Sequence, residues 1–168
     1  METSSQAVQI LKMAILLERR GKAFYSQVAG QTKSPAVKQI FEMLAEEENA
    51  HIGFLSRQFA HYDKTNVFLD VDIADDAPDA QAVLKLAENL KSEISAASYE
   101  AAAISAAIDF ENKAIELYSK RAEEAVDQNE KAVYQMLADW EKKHHHLLYK
   151  MGEDLKEDIW NDNNFWPF

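Results

Sequence analysis

The sequence predicts an all-α fold: a bundle of four helices made of two helical hairpins, with one long crossover between them and a short C-terminal helix or tail. Three observations carry that prediction. The 168 residues include only 4 Gly and 3 Pro, too few for the many turns of a sheet protein. Apolar residues recur at three- and four-residue steps, the period of a helix with one buried face. The chain also repeats itself. Shifted by 93 residues, Ala14–Leu55 aligns with Ala107–Leu148 without a gap, and 13 of the 42 positions are identical. Chance at ordinary composition gives roughly two to four identities. The period is too long for a solenoid, so the repeat reads as a helical hairpin used twice.

The first helix is expected over roughly 5–30, where Leu11, Ala14, Ile15, Glu18, Gly21, Tyr25 and Val28 share one face. A polar turn near Gly30–Ser34 leads to a second helix over 35–62. Ser34 supplies its cap and Pro35 its first turn, and Val37, Phe41, Leu44, Glu48, His51 and Leu55 line its buried face. The third helix, 98–126, carries Ile104, Ala107, Ile108, Glu111, Ala114, Ile115, Tyr118 and Ala122. After a turn at Asp127–Asn129, the fourth, 129–151, carries Tyr134, Leu137, Glu141, His144, Leu148 and Met151, with Gly152 as its expected stop. Short turns make each pair antiparallel neighbours.

The crossover, 63–97, is of another kind. It holds Asp70, Asp72, Asp75, Asp76, Pro78 and Asp79, read as a hydrated loop, then a short helix from Ala80 to about Leu90. A helix of about 27 residues is about 40 Å long. An extended chain covers about 3.3 Å per residue, so this connector can run back along the whole bundle. The tail, 152–168, is apolar for a chain end, and Ile159, Trp160, Phe165, Trp166 and Phe168 are expected to pack on the bundle or on a second subunit. The whole is expected to be one domain, 1–168.

Charge and composition exclude several functions. A net charge of −11 does not suit a nucleic-acid phosphate or an anionic membrane surface. Without cysteine there is no disulfide, thiolate nucleophile, zinc finger or cysteine-held iron–sulfur centre. No apolar run is long enough to span a bilayer and no leader pattern is seen, so a cytoplasmic location is expected.

The informative residues interrupt the apolar stripes. Glu18, Glu48, His51, Glu111, Glu141 and His144 occupy positions that packing assigns to the bundle interior. An unpaired ionised carboxylate there costs several kcal/mol, and four would also repel one another. The same faces carry too few Lys and Arg to neutralise them. Two divalent ions would resolve the conflict, with about four positive charges against four carboxylates and two neutral imidazoles. In Glu48–His51 and Glu141–His144 a three-residue step sends both side chains off the same side of the helix. Each pair is preceded by a glutamate 30 residues upstream, Glu18 and Glu111. One Glu from each of two helices and Glu-x-x-His from each of the other two is the ligand set of di-iron and di-manganese carboxylate bundles. Oxygen and imidazole donors without sulfur suit iron or manganese better than a structural zinc.

The segments Leu-Glu-Arg-Arg-Gly-Lys-Ala-Phe-Tyr (17–25), Leu-Ala-Glu-Glu-Glu-Asn-Ala-His (44–51), Phe-Glu-Asn-Lys-Ala-Ile-Glu-Leu-Tyr (110–118) and Leu-Ala-Asp-Trp-Glu-Lys-Lys-His (137–144) resemble the ferritin-like di-iron superfamily, and within it the rubrerythrin-like branch. The resemblance covers roughly 5–62 and 98–151. It implies a ferritin-like bundle with two Fe ions, or Mn or a mixed pair, held by Glu18, Glu48, His51, Glu111, Glu141 and His144, with Glu48 and Glu141 bridging. Tyr25 and Tyr118, seven residues beyond their helix glutamates, are placed to hydrogen-bond the ligating carboxylates. Typical rubrerythrins add a cysteine-rich iron domain and a further glutamate one turn beyond the first on the third helix. This chain has no cysteine, and Ala114 stands at that position.

The expected function is a di-iron oxidoreductase acting on peroxide or dioxygen, as a homodimer supplied by an external electron-transfer protein. The alternatives are a ferritin-type ferroxidase that stores iron, and a helical interaction module without catalysis. His145 and His146 point away from His144 by helical rotation, His61 lies off the ligand face, and Glu46 and Glu47 are expected to be solvated.

Overall fold

The computed structural model describes the backbone of residues 2–71 and 99–161, and the side chains of 6–71 and 99–154. Four helices and no strands are found among the described residues: α1 (Glu2–Gln31), α2 (Pro35–Thr65), α3 (Tyr99–Glu124) and α4 (Gln128–Asn161). The predicted all-α four-helix bundle is therefore the fold. The short helix expected at Ala80–Leu90, the aspartates from Asp72 to Asp79 and the side chains of the aromatic tail lie outside the described residues.

Local chemistry sets the helix ends. The Ser34 hydroxyl accepts the Val37 N–H at 3.2 Å, and Pro35 follows in the first turn. At its other end α2 stops at Asn66, in left-handed backbone with φ 55°, whose N–H donates to the Tyr62 carbonyl at 2.8 Å. Asp127, the counterpart of Ser34 in the repeat, does the same work for α4 by accepting the Glu130 N–H at 2.7 Å.

Gly152 does not end α4, which continues to Asn161. No glycine has positive φ, so Gly152 is not a left-handed cap. A Cβ there would lie 3.4 Å from Ile108 Cδ1 and 3.8 Å from Ile104 Cγ2. Those are ordinary van der Waals distances, so neither a helix stop nor a tight approach of α3 calls for a glycine at this position.

Packing is closest within each hairpin, α1 on α2 and α3 on α4, and the hairpins meet along α1 and α3. Thr32 Oγ1, in the α1–α2 turn, donates to Glu100 Oε1 at the start of α3, at 2.8 Å. At the opposite end, the chain leaving α2 is held by buried Gln58, which bonds both the N–H and the carbonyl of Leu69. There Asn129 Nδ2 also donates to the Phe68 carbonyl at 3.2 Å. The crossover thus begins at the α3–α4 turn and ends at the α1–α2 turn, so α2 and α3 run in the same direction, and α1 and α4 in the other.

Two apolar clusters fill the interior. One gathers Val28, Val37, Ile40, Phe41, Leu44, Ile104, Leu148 and Met151; the other gathers Leu11, Ala14, Leu55, Tyr62, Phe68, Val133, Tyr134 and Leu137. Each large aliphatic side chain removed from water contributes about 1.5–3 kcal/mol. Between the two clusters lies a layer of another composition.

Candidate metal centre

Each helix delivers to this layer the residues that its period places on the inner face: Glu18 from α1, Glu48 and His51 from α2, Glu111 from α3, Glu141 and His144 from α4. All six are at most 5% exposed. They fall into two groups of four, Glu18–Glu48–His51–Glu141 and Glu48–Glu111–Glu141–His144. Within each group one donor atom per residue lies within 4.8 Å of every other. Glu48 and Glu141 belong to both groups, which is the placement of carboxylates able to span two ions.

The donor atoms converge and satisfy one another only in part. His51 Nδ1 lies 3.2 Å from Glu18, 3.5 Å from Glu48 and 3.1 Å from Glu141. His144 Nδ1 lies 3.3 Å from Glu141 and 3.5 Å from both Glu48 and Glu111. Yet Glu48 Oε2, Glu111 Oε2, Glu141 Oε1 and His144 Nδ1 are buried with no hydrogen bond among the described residues. Short separations with the wrong angles mean lone pairs turned to a shared point, which fits a cation better than a proton network.

The tyrosines cross between hairpins. Tyr25 of α1 donates its hydroxyl hydrogen to Glu111 of α3, and Tyr118 of α3 donates to Glu18 of α1. Each thereby fixes a carboxylate on the opposite hairpin rather than the one on its own helix. Burial, with Glu111 beside one and Glu18 beside the other, pushes both phenols well above their usual range and keeps them as donors.

Without a cation the layer balances its charge with protons. Burial, reinforced by the Glu141 charge, raises Glu18 well above the usual carboxylate range, and burial raises Glu111 to about 8. Burial acts the same way on Glu48 and Glu141, but their close neighbours outweigh it: Glu18, His144 and His51 lower Glu48, and His144 and His51 hold Glu141 far down. Burial alone would lower both histidines. Glu141, Glu18 and Glu48 instead raise His51 well above its usual value, and Glu111, Glu141, Glu47 and Glu48 do the same for His144.

Glu47 departs from the expectation of a solvated side chain. Its Oε2 lies 2.5 Å from His144 Nε2, and its side chain is only 22% exposed. Its place in the repeat is taken by Trp140, whose ring stacks on His51 with centroids 4.7 Å apart and planes 7° from parallel. Helical rotation places both residues off the inner face. They reach the histidines across the gap between α2 and α4, and the only sequence signal was a large side chain beside the ligand position in both halves. Glu46 and His146 are exposed, and His61 is half-buried. His145 stacks on Tyr149. None of these four belongs to the donor groups.

A family model described as rubrerythrin matches residues 9–152, a span that includes all six inward residues. Among solved structures, a hypothetical protein from Pyrococcus furiosus has a similar fold, with a TM-score of 0.60 and 24% sequence identity over 89% of this chain and 90% of that one. No curated protein matches the chain.

Proposed function

The chain belongs to the rubrerythrin family, and on that premise we propose that it is a non-haem di-iron oxidoreductase that reduces peroxide or dioxygen with electrons from an external donor protein. The observation that carries the reading is the convergence of six buried donor residues, four of whose atoms (Glu48 Oε2, Glu111 Oε2, Glu141 Oε1 and His144 Nδ1) have no hydrogen bond among the described residues. Glu18, Glu48, His51 and Glu141 would hold one ion, and Glu48, Glu111, Glu141 and His144 the other, with Glu48 and Glu141 shared. When bound, two ferrous ions supply the two electrons that, with two protons, convert one hydrogen peroxide to two waters.

The chain's own residues do the rest. Glu18 and Glu111, each held by a tyrosine from the opposite hairpin, fix the outer edges of the site. The apolar clusters above and below keep bulk water from the donors and strengthen every charge interaction between them. Because the chain has no cysteine, re-reduction is assigned to a separate electron-transfer protein. The donor set accommodates manganese or a mixed pair as well as iron.

Loading with Fe(II) under anaerobic conditions, then mixing with H2O2 or O2 in a stopped-flow instrument, tests the activity. One peroxide consumed per two Fe(II), with the reaction lost in Glu18→Ala, is the expected result. Oxidation no faster than that of free Fe(II) would sink the proposal. A cytoplasmic homodimer belongs to the same reading. Light scattering separates a dimer from the closed, many-subunit shell of a storage protein.

A further inference from the structure

The pseudo-repeat places the same ligand types around both halves of the site but different groups behind the two histidines. Behind His144 stands Glu47, whose carboxylate meets Nε2 at 2.5 Å. Behind His51 stands Trp140, stacked on the ring face. An indole offers an N–H and no acceptor, so it cannot receive a hydrogen bond from an imidazole nitrogen. The carboxylate can. Accepting the Nε2–H fixes the tautomer of His144 with its lone pair on Nδ1, the atom turned toward Glu48, Glu111 and Glu141. It also adds one negative charge just outside that group.

We infer that the two metal positions are unequal, and that Glu47 is a positioning residue that makes the Glu48–Glu111–Glu141–His144 position the tighter of the two. Trp140 holds the ring of His51 in place by contact alone, which orients the ligand without strengthening it as a donor. A bound cation draws electron density from its imidazole, and among the described residues Glu47 alone stands where it returns density through a ligand ring. The two positions therefore fill in order, first at His144 and then at His51. The inference rests on the two-metal reading proposed above and adds to it the origin of the order.

Anaerobic titration of the metal-free protein with Co(II), followed by calorimetry and by visible absorption, tests it. The expected wild-type result is two resolved steps. Glu47→Gln, which keeps the size and removes the charge, weakens the first step by about 10- to 100-fold and leaves the second in place. His51→Ala retains the tighter step and His144→Ala the weaker one, so the assignment stands even if the Glu47 variant folds poorly. Two equal steps in the wild type, or a folded Glu47→Gln that weakens both steps alike, would overturn the inference while leaving the two-metal reading intact. No Co(II) binding to the wild type would instead remove the two-metal reading, and this inference with it.

Discussion

The middle of the bundle and its two ends are built from the same four helices on opposite principles. At the ends, Leu44, Ile104 and Leu148 on one side, and Leu11, Leu55 and Leu137 on the other, are wholly or almost wholly buried and carry no polar atom in need of a partner. In the middle, six ionisable side chains are just as buried and satisfy one another only in part. The ends stabilise the fold unconditionally through apolar area removed from water. The middle stabilises it on condition that protons or cations are present. The difference teaches where specificity lies: the ends make the bundle, and the incompletely satisfied middle, held by the surrounding packing, makes the site.

Metal loading gives the largest separation of the two regions. If the middle is a two-ion site, Fe(II) or Mn(II) at a thousandfold excess over Kd adds about 4 kcal/mol per site, and a chelator removes it. Differential scanning calorimetry should show Tm rising with metal concentration. A Tm indifferent to metal would erase the distinction between middle and ends. Next in size is Leu148→Ala. It empties part of one apolar end and should lower stability by about 2–5 kcal/mol, by the same amount with and without metal, in urea unfolding. A loss that depends on metal would mean that the end and the middle are not independent.

The third prediction concerns pH. Glu18, Glu111, His51 and His144 all bind protons more tightly in the folded, metal-free protein than in the unfolded chain. For Glu111 the resulting stabilisation is complete below its ordinary value of 4.5 and is lost as pH rises through about 8. For the histidines it is complete below 6.5 and is lost as pH rises through their raised values. Metal-free protein should therefore lose stability as pH rises from 4.5 to about 8, the span over which Glu111 releases its proton, by up to about 1.4 kcal/mol per pH unit for each group titrating. Glu48 and Glu141, with lowered values, are ionised throughout that window and do not alter the slope. Glu111→Gln, a neutral stand-in for the protonated acid, should flatten it. An unchanged slope would show that Glu111 is not a proton carrier.

The smallest effect compares two buried tyrosines. Tyr25→Phe removes the hydrogen bond to Glu111 and should cost about 1–2 kcal/mol. Tyr134 lies in an apolar end, where its hydroxyl has no hydrogen-bond partner among the described residues. Tyr134→Phe should be neutral or stabilising by less than about 1 kcal/mol. Equal losses in thermal melts would remove the contrast between the regions at the level of a single hydroxyl.

Helix number, pairing into hairpins and the six inward polar residues were legible in the sequence because a helical period assigns each residue a side, and the 93-residue repeat made the assignment twice. The Ser34–Pro35 start of α2 was legible for the same reason: capping is a matter of neighbours in the chain. Gly152 misled, because a glycine reads alike whether it ends a helix or lies within one, and only the fold shows α4 running on through it to Asn161. That Tyr25 and Tyr118 reach carboxylates of the site was legible, but their crossing to the opposite hairpin, the contact of Glu47 with His144 and the stacking of Trp140 on His51 were not. Local periodicity tells a residue which way to face but not what it will meet there. The sequence alone determined a bundle with charges at its heart; which carboxylate answers which tyrosine, and which histidine gains a charged partner, was decided when two hairpins far apart in the chain closed on each other, because those contacts exist only across the gap between them.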